Sequence, residues 1–592
     1  MLWTLLLPSL AQAVPQSFDY VIVGGGPGGL LVANRLVSGV VPSTVAVIEA
    51  GDSVYDNPNV THVPKSILEY GSFIGTPTDW GYMTVPQKYA GNNTLNYWAG
   101  RALGGSTTIN GMTYLRAEKA QIDAWEDLGN YEWNWDSLWD YYIGQEQFQP
   151  PSNQLKQQGA VYDEHAHGKE GELAVGFTPY FASQDFFELV KETSEAAGFP
   201  YNEDPNKGTM RGFSAWPMTL NETGPTREDG ARAFYYPIAS HPNLHVFLNS
   251  TATRIVWKHE RDPIDPLAAS GVEFVTAGNV TQSIHARLGV VVAAGAIRSP
   301  ALLEHSGVGN PSVLEPLGIE TVLPLHSVGS NLPDQPANGI MYSSSTNWTG
   351  YPTFVSYWTA SDLFGDELPA ITEEIRGNLT AYATTIIADY APNTISVETQ
   401  EKLLNHQVDL IFNPNSTVPL VEVLWFSADN LIAAQFWNLL PLSRGSIHIN
   451  STNATSPPRI DPAFLQLPID AYVQAAAAVL IRKHFATSPL ADRVTGEVAP
   501  GFETVPKESG WRDSHWDAWI RQTVNGNSHP VSTCAMMSED LGGVVDSRGT
   551  VWGTQNVWVA DASVFPTQIS GHLSASVYAV AGKIVDILTE IW

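Results

Sequence analysis

Gly24-Gly25-Gly26-Pro27-Gly28-Gly29 places three glycines in the order G-x-G-x-x-G. The chemistry served by that spacing is phosphate binding. The first glycine (Gly24) permits a tight turn, the second (Gly26) lets backbone approach a pyrophosphate, and the third (Gly29) lets a helix pack on a strand. Glu49 follows 49 − 29 = 20 residues later, where a carboxylate can bond a ribose hydroxyl. A glycine triplet alone also fits a merely tight turn. Its setting between a strand and a helix, with the acid beyond, favours a dinucleotide site. Arg101 to Met112, RALGGSTTINGM, is a second glycine-containing segment. Its small residues can expose N–H groups to a phosphate or a ring edge, or simply form a loop. Cys534 is the only cysteine, which excludes an internal disulfide and a cysteine-cluster metal site. A small buried apolar role is expected for it, and no metal.

These residues need elements to hold them. Phe18 to Val23 is a β-branched apolar run of the kind that forms a buried parallel strand. Leu30 to Leu36 has helical character, and Val45 to Ile48 is a second strand ending at Glu49. Together they make one βαβ unit. Further strands are expected at Leu244 to Leu248, Leu288 to Val292 and Val557 to Val559, and a helix from His572 to Leu588. The regions around 60–95, 150–225 and 335–525 are richer in Trp, Tyr, Pro and Asn, with less regular periodicity. The expected fold is α/β. A doubly wound, Rossmann-like domain would be built from 14–60, 96–150, 226–330 and 526–592. An α+β substrate domain would be inserted as 61–95, 151–225 and 331–525.

Length and charge agree with such a molecule. A chain of 592 residues exceeds what one core usually serves. Sixty acidic residues against thirty basic ones give a formal charge of −30, which repels phosphate backbones and anionic lipid. Nucleic-acid and membrane partners are therefore not expected. Met1 to Ala13 reads as a signal peptide: a short apolar run ends in Ala11-Gln12-Ala13, although no basic residue precedes it. Asn59, Asn92, Asn221, Asn249, Asn279, Asn347, Asn378, Asn415, Asn450 and Asn453 each begin an Asn-x-Ser/Thr triplet without proline at x. A secreted or secretory-lumen glycoprotein is the expectation.

Four blocks and their order resemble the glucose–methanol–choline oxidoreductase family, specifically its fungal glucose oxidase-like branch. They are Arg101 to Gly111, Gly295 to Gly309, Asn527 to Met536 and Asp561 to His572. The resemblance implies FAD, with Pro27 and Gly28 at the pyrophosphate turn beside the motif glycines and Glu49 on the adenosine ribose. It further implies Ser106, Asn110, Gly111, Met112 and Thr113 along the pyrophosphate and flavin, Ala252 at the adenine and Asp561 at the ribityl–phosphate end. Some members of the family attach flavin through a histidine, and the equivalent position here is Ile109, so the FAD is expected to be noncovalent. His529 and His572 would face the flavin. Oxidising an alcohol needs a hydride acceptor and a base for the hydroxyl proton, and a neutral imidazole suits the second task. His529 is assigned as the base and His572 as the group that orients the hydroxyl.

The chain departs from the sugar-oxidising pattern. Asn525 stands where glucose oxidases carry an arginine, and Gln435 where they carry an aspartate, while Trp437 and Asn527 are kept. Losing both charges removes charge-assisted bonds to hydroxyls. The expected substrate is therefore a less polar alcohol, either aryl, allylic or a hydroxylated fungal secondary metabolite. Oxygen or a diffusible acceptor would take the electrons, and the enzyme would be a monomer or homodimer. The alternatives are a redox-silent, flavin-containing lyase or cyclase and a sugar oxidase or dehydrogenase.

Overall fold

The computed structural model describes residues 16–590 apart from 40, 64–70, 181–184, 259–264 and 352. The segment read as a signal peptide, Met1 to Ala13, lies outside the described residues. Two seven-stranded sheets dominate, and they differ in the way their sequences require.

The first sheet runs Leu244–Phe247, Val45–Ile48, Ser17–Val23, Thr281–Val292, Ala269–Thr276, Ser250–Trp257, with Val557–Val559 paired beside Val290 to Val292. The pairings among Leu244–Phe247, Val45–Ile48, Ser17–Val23, Thr281–Val292 and Val557–Val559 are parallel. Strands of this kind are buried on both faces, which is why Val45–Ile48 and Val557–Val559 are buried throughout and apolar without alternation. Ser250–Trp257 and Ala269–Thr276 instead form an antiparallel extension on the same sheet. The helix Pro27–Ser38 follows the first strand, and the helix Leu573–Glu590 packs against it and against Trp135–Gln145.

The second sheet is antiparallel throughout, in the order Val494–Ala499, Pro336–Ser344, Leu431–Asn438, Pro419–Ala428, Phe354–Thr359, Gly212–Ala215. Asn525–Gly526 adds a short strand beside Pro336 and Ala337. Alternation along these strands sends one set of side chains outward to the helix Pro468–Phe485, where Tyr342 stacks on Phe485 at 4.1 Å. The other set faces the first sheet's glycine turn across a cavity. Glu422, Trp437, Ala337 and Asn525 form one cross-strand row on that face. Leu424, Gln435 and Gly339 form the next, and Phe426, Ala433, Met341 and Ala499 the third.

A buried charge cluster joins Arg116, Glu146, His167 and Asp204. Arg116 meets Glu146 at 2.7 Å, and His167 bridges Glu146 at 2.6 Å and Asp204 at 2.8 Å. Two cations face two anions, and the Arg116 guanidinium also donates to the carbonyls of Ala166 and Asn206. Burial alone would lower the His167 pKa, but the two carboxylates raise it to about 9.

Candidate active site

One cavity of about 920 Å³ runs between the two sheets, from the glycine turn at Gly24, Gly26 and Gly28 to His529 and His572. Its first end is built for backbone approach. The helix Pro27–Ser38 has no side-chain N-cap, so its first-turn N–H groups and dipole serve whatever lies in front of it. A Cβ on Gly26 would meet nothing closer than 3.9 Å, so this residue leaves open space in the cavity wall. A Cβ on Gly105 would stand 2.8 Å from the Gly26 Cα, so the second glycine segment closes directly over the first. Two apposed glycine backbones at a helix N-terminus form a cradle that fits a pyrophosphate.

Glu49, at the end of the second strand, also lines this end. Its carboxylate accepts from Gly25 N–H at 2.8 Å and Gly51 N–H at 2.7 Å, and burial pushes its pKa up to about 7. Ser106, Asn110, Gly111, Thr113, Ala252 and Asp561 line the same cavity, as does Ile109. Asn110 is held by Arg227, whose guanidinium donates to its Oδ1 at 2.7 Å.

Two expected contacts, at Met112 and Asp561, take a different form. Met112 is fully buried and off the cavity wall; it adopts φ 60°, and its carbonyl accepts from Thr219 N–H. Gly29 has the packing part its place in the motif implies, since a Cβ there would strike the Gly24 carbonyl at 2.1 Å. The Asp561 carboxylate is committed to Gly295 N–H, Ser563 N–H and the Ser299 hydroxyl. It ties its own turn to the start of the helix Gly295–His305.

At the far end the rings of His529 and His572 lie 5.2 Å apart at 85°. Gln335 sets the state of His529. Its Nε2 donates to the carbonyls of Leu439 and Ile569, which fixes the amide and aims Oε1 at His529 Nδ1, 2.9 Å away. Asn527 Nδ2 donates to that same oxygen at 2.8 Å. Asn527 Nδ2 also lies 3.0 Å from His529 Nδ1. The Gln335 oxygen, which can only accept, favours the Nδ1–H tautomer, and Nε2 has no protein partner among the described residues. Asp334 accepts from the His529 backbone N–H at 2.9 Å, and burial raises its carboxyl to about 6. Burial and the neighbouring His572 together push the His529 imidazole well below the ordinary histidine range. His572 is tethered from the second sheet, with Nε2 3.0 Å from Glu422 Oε1.

Trp437 and Gln435 line this end of the cavity, and Asn525 sits exposed at its mouth. The Trp437 indole N–H is buried without a protein partner. Asn527, expected at the substrate, has its amide nitrogen turned to Gln335 and so supports the imidazole.

Gln335 and Glu422 are the site residues that sequence reading missed. Gln335 lies 194 positions from His529 and has no spacing to betray it. Glu422 did carry a signal: it is the one acid in the strand Pro419–Ala428, otherwise almost wholly apolar.

Two sequence profiles, both described as GMC oxidoreductase, match residues 18–337 and 441–581. The chain is a GMC oxidoreductase. A glucose oxidase-like protein, fsoC, from Humicola fuscoatra is 39% identical over 585 residues, covering 98% of this chain and 96% of that protein. An FAD-dependent oxidoreductase from Chaetomium thermophilum superposes with TM-score 0.87 at 28% identity, covering 97% of this chain and 99% of that one. A fungal aryl-alcohol oxidase gives 0.86 at 25%, covering 98% and 100%. This GMC oxidoreductase thus belongs to an FAD-dependent family acting on alcohols or sugars, with oxygen or another acceptor completing the cycle. The apposed glycine turns and Glu49 fit the dinucleotide.

Proposed function

We propose that this protein oxidises the carbinol of a neutral, largely apolar alcohol to a carbonyl, with His529 as the base. The observation that carries the reading is the Gln335–His529 pair, which engages Nδ1 at 2.9 Å and leaves Nε2 to the cavity. Noncovalently bound FAD supplies the hydride acceptor. His529 Nε2 takes the hydroxyl proton, and Gln335 Oε1 holds the opposite N–H while the ring becomes charged. His572, held by Glu422, orients the hydroxyl oxygen. The Trp437 N–H offers one further donor to a polar atom of the substrate. Leu424 and Phe426 give the cavity apolar walls, and Gln435 and Asn525 supply no charge to hold a polyol.

All ten sequon asparagines are exposed, which supports a glycosylated, secreted molecule. No helix among the described residues is long and apolar enough to cross a membrane. The same reading assigns 14–60, 96–150, 226–330 and 526–592 to the FAD domain and 61–95, 151–225 and 331–525 to the substrate domain.

The test is anaerobic titration of the holoenzyme with glucose and benzyl-type alcohols side by side, following the flavin band. Bleaching by the aromatic alcohols is expected, and His529→Ala should slow it about 10²- to 10⁴-fold with FAD still bound. An unchanged rate would remove His529 from the mechanism. Flavin that no alcohol bleaches would favour the redox-silent alternative.

A further inference from the structure

The second sheet continues past the catalytic cavity, and so does the space beneath it. A groove of about 290 Å³ adjoins the cavity, and Phe426, Gln435 and Asn525 line both. Its origin is a gap in strand pairing. Pro336–Ser344 is paired on one edge by Asn525–Gly526 at residues 336–337 and by Val494–Ala499 at 341–344. Among the described residues no strand covers 338–340 on that edge. Gly339 is exposed in the gap, and a Cβ there would find nothing closer than 3.9 Å. Trp519 and Thr523, on the helix Ser514–Thr523, close the outer side.

The groove carries no charged side chain. Asn338 does not reach out as a donor, because its Nδ2 is spent on Thr523 Oγ1 at 2.9 Å and the Ile520 carbonyl. Along the sheet face the rows grade from Glu422 and Trp437 at the histidines, through Leu424 and Gln435, to Phe426, Ala433, Met341 and Ala499 in the groove. The sheet-facing rows thus end in apolar side chains, while Asn525, Thr523 and Asn338 form an uncharged polar rim to the groove.

We infer that the groove is a second substrate subsite, holding an uncharged apolar arm of the same molecule whose carbinol lies between His529 and His572. The substrate class is then an elongated neutral alcohol with its hydroxyl at one end. This rests on the alcohol-oxidising reading above and adds the direction in which the substrate extends.

The test uses benzyl alcohol and its 4-methoxy, 4-butoxy and 4-hexyloxy derivatives, titrated anaerobically into the holoenzyme. Binding is read from perturbation of the flavin band and reaction from its bleaching. The apparent Kd is expected to fall with chain length, by up to about fourfold for each buried methylene. Ala433→Trp and Ala499→Phe, which fill the groove from different strands, should each abolish that dependence. A Kd indifferent to chain length, no perturbation by any of the four alcohols, or a gain that survives in both variants would overturn the inference. Failure of the underlying reading looks different: binding would tighten with chain length and lose that dependence in the variants, yet the flavin would stay oxidised.

Discussion

At His529 the two ring nitrogens differ in what faces them. Nδ1 meets the Gln335 oxygen at 2.9 Å, while Nε2 is left to the cavity. When the ring takes a proton, the bond to Gln335 becomes charge-assisted, an interaction of about 1.5–3 kcal/mol. Gln335→Leu should therefore slow flavin reduction about 10- to 100-fold. The pH profile separates this role from a merely structural one. Burial and His572 keep the His529 pKa well below 6.5, so the neutral base persists and reduction should stay level as pH falls through 6. Gln335→Glu places a carboxylate beside Nδ1–H, which favours the charged ring, so the acidic loss of rate should move to higher pH. Stopped-flow reduction between pH 4 and 8 reads both effects. An acidic limb that stays in place in Gln335→Glu removes Gln335 from control of the imidazole.

At the scale of elements, two glycines of one turn have separable tasks. A Cβ on Gly28 would lie 2.1 Å from the Ala560 carbonyl, at the end of the strand Val557–Val559, whereas one on Gly26 would enter open space. Gly28→Ala should lower stability by about 1–3 kcal/mol through forced separation of helix and strand. Gly26→Ala should melt normally and lose flavin on desalting. Equal melting temperatures and equal flavin content in the two variants would reject that division. This turn was legible in the sequence because its determinants are local: strand, glycines, helix and acid lie within about 30 residues. The expected strands at Leu244, Leu288 and Val557 were legible for the same reason, as short apolar runs. The antiparallel extension Ser250–Trp257 with Ala269–Thr276 was not, because its half-buried strands show only a broken alternation. The cross-strand rows that form the cavity's second wall depend on register among strands up to 190 positions apart, and no local pattern encodes that.

For the molecule as a whole, alkaline stability should depend on one buried histidine. The folded pKa of His167, about 9, exceeds the ordinary 6.5. The stability it contributes is therefore fully present below pH 6.5 and lost as pH rises through about 9. His167→Gln leaves Glu146 and Asp204 short of a cation and should cost about 3–5 kcal/mol at neutral pH. It should also flatten the decline between pH 7 and 10 in thermal melts. A decline equally steep in the variant would place its cause elsewhere, such as self-repulsion of a chain already at −30. A further consequence follows from where the chain's end is used. The strand Val557–Val559 pairs with Thr281–Val292, and the helix Leu573–Glu590 packs against Pro27–Ser38, so late residues complete a fold begun by the first helix. The cofactor cavity is therefore completed only when Leu573 and Val577, on that late helix, have packed against the wall that begins at Gly24 and Gly26. A nucleotide held by the whole cavity is expected to be retained only after those residues have packed. For an exported chain, the compartment where folding finishes must itself contain the flavin nucleotide.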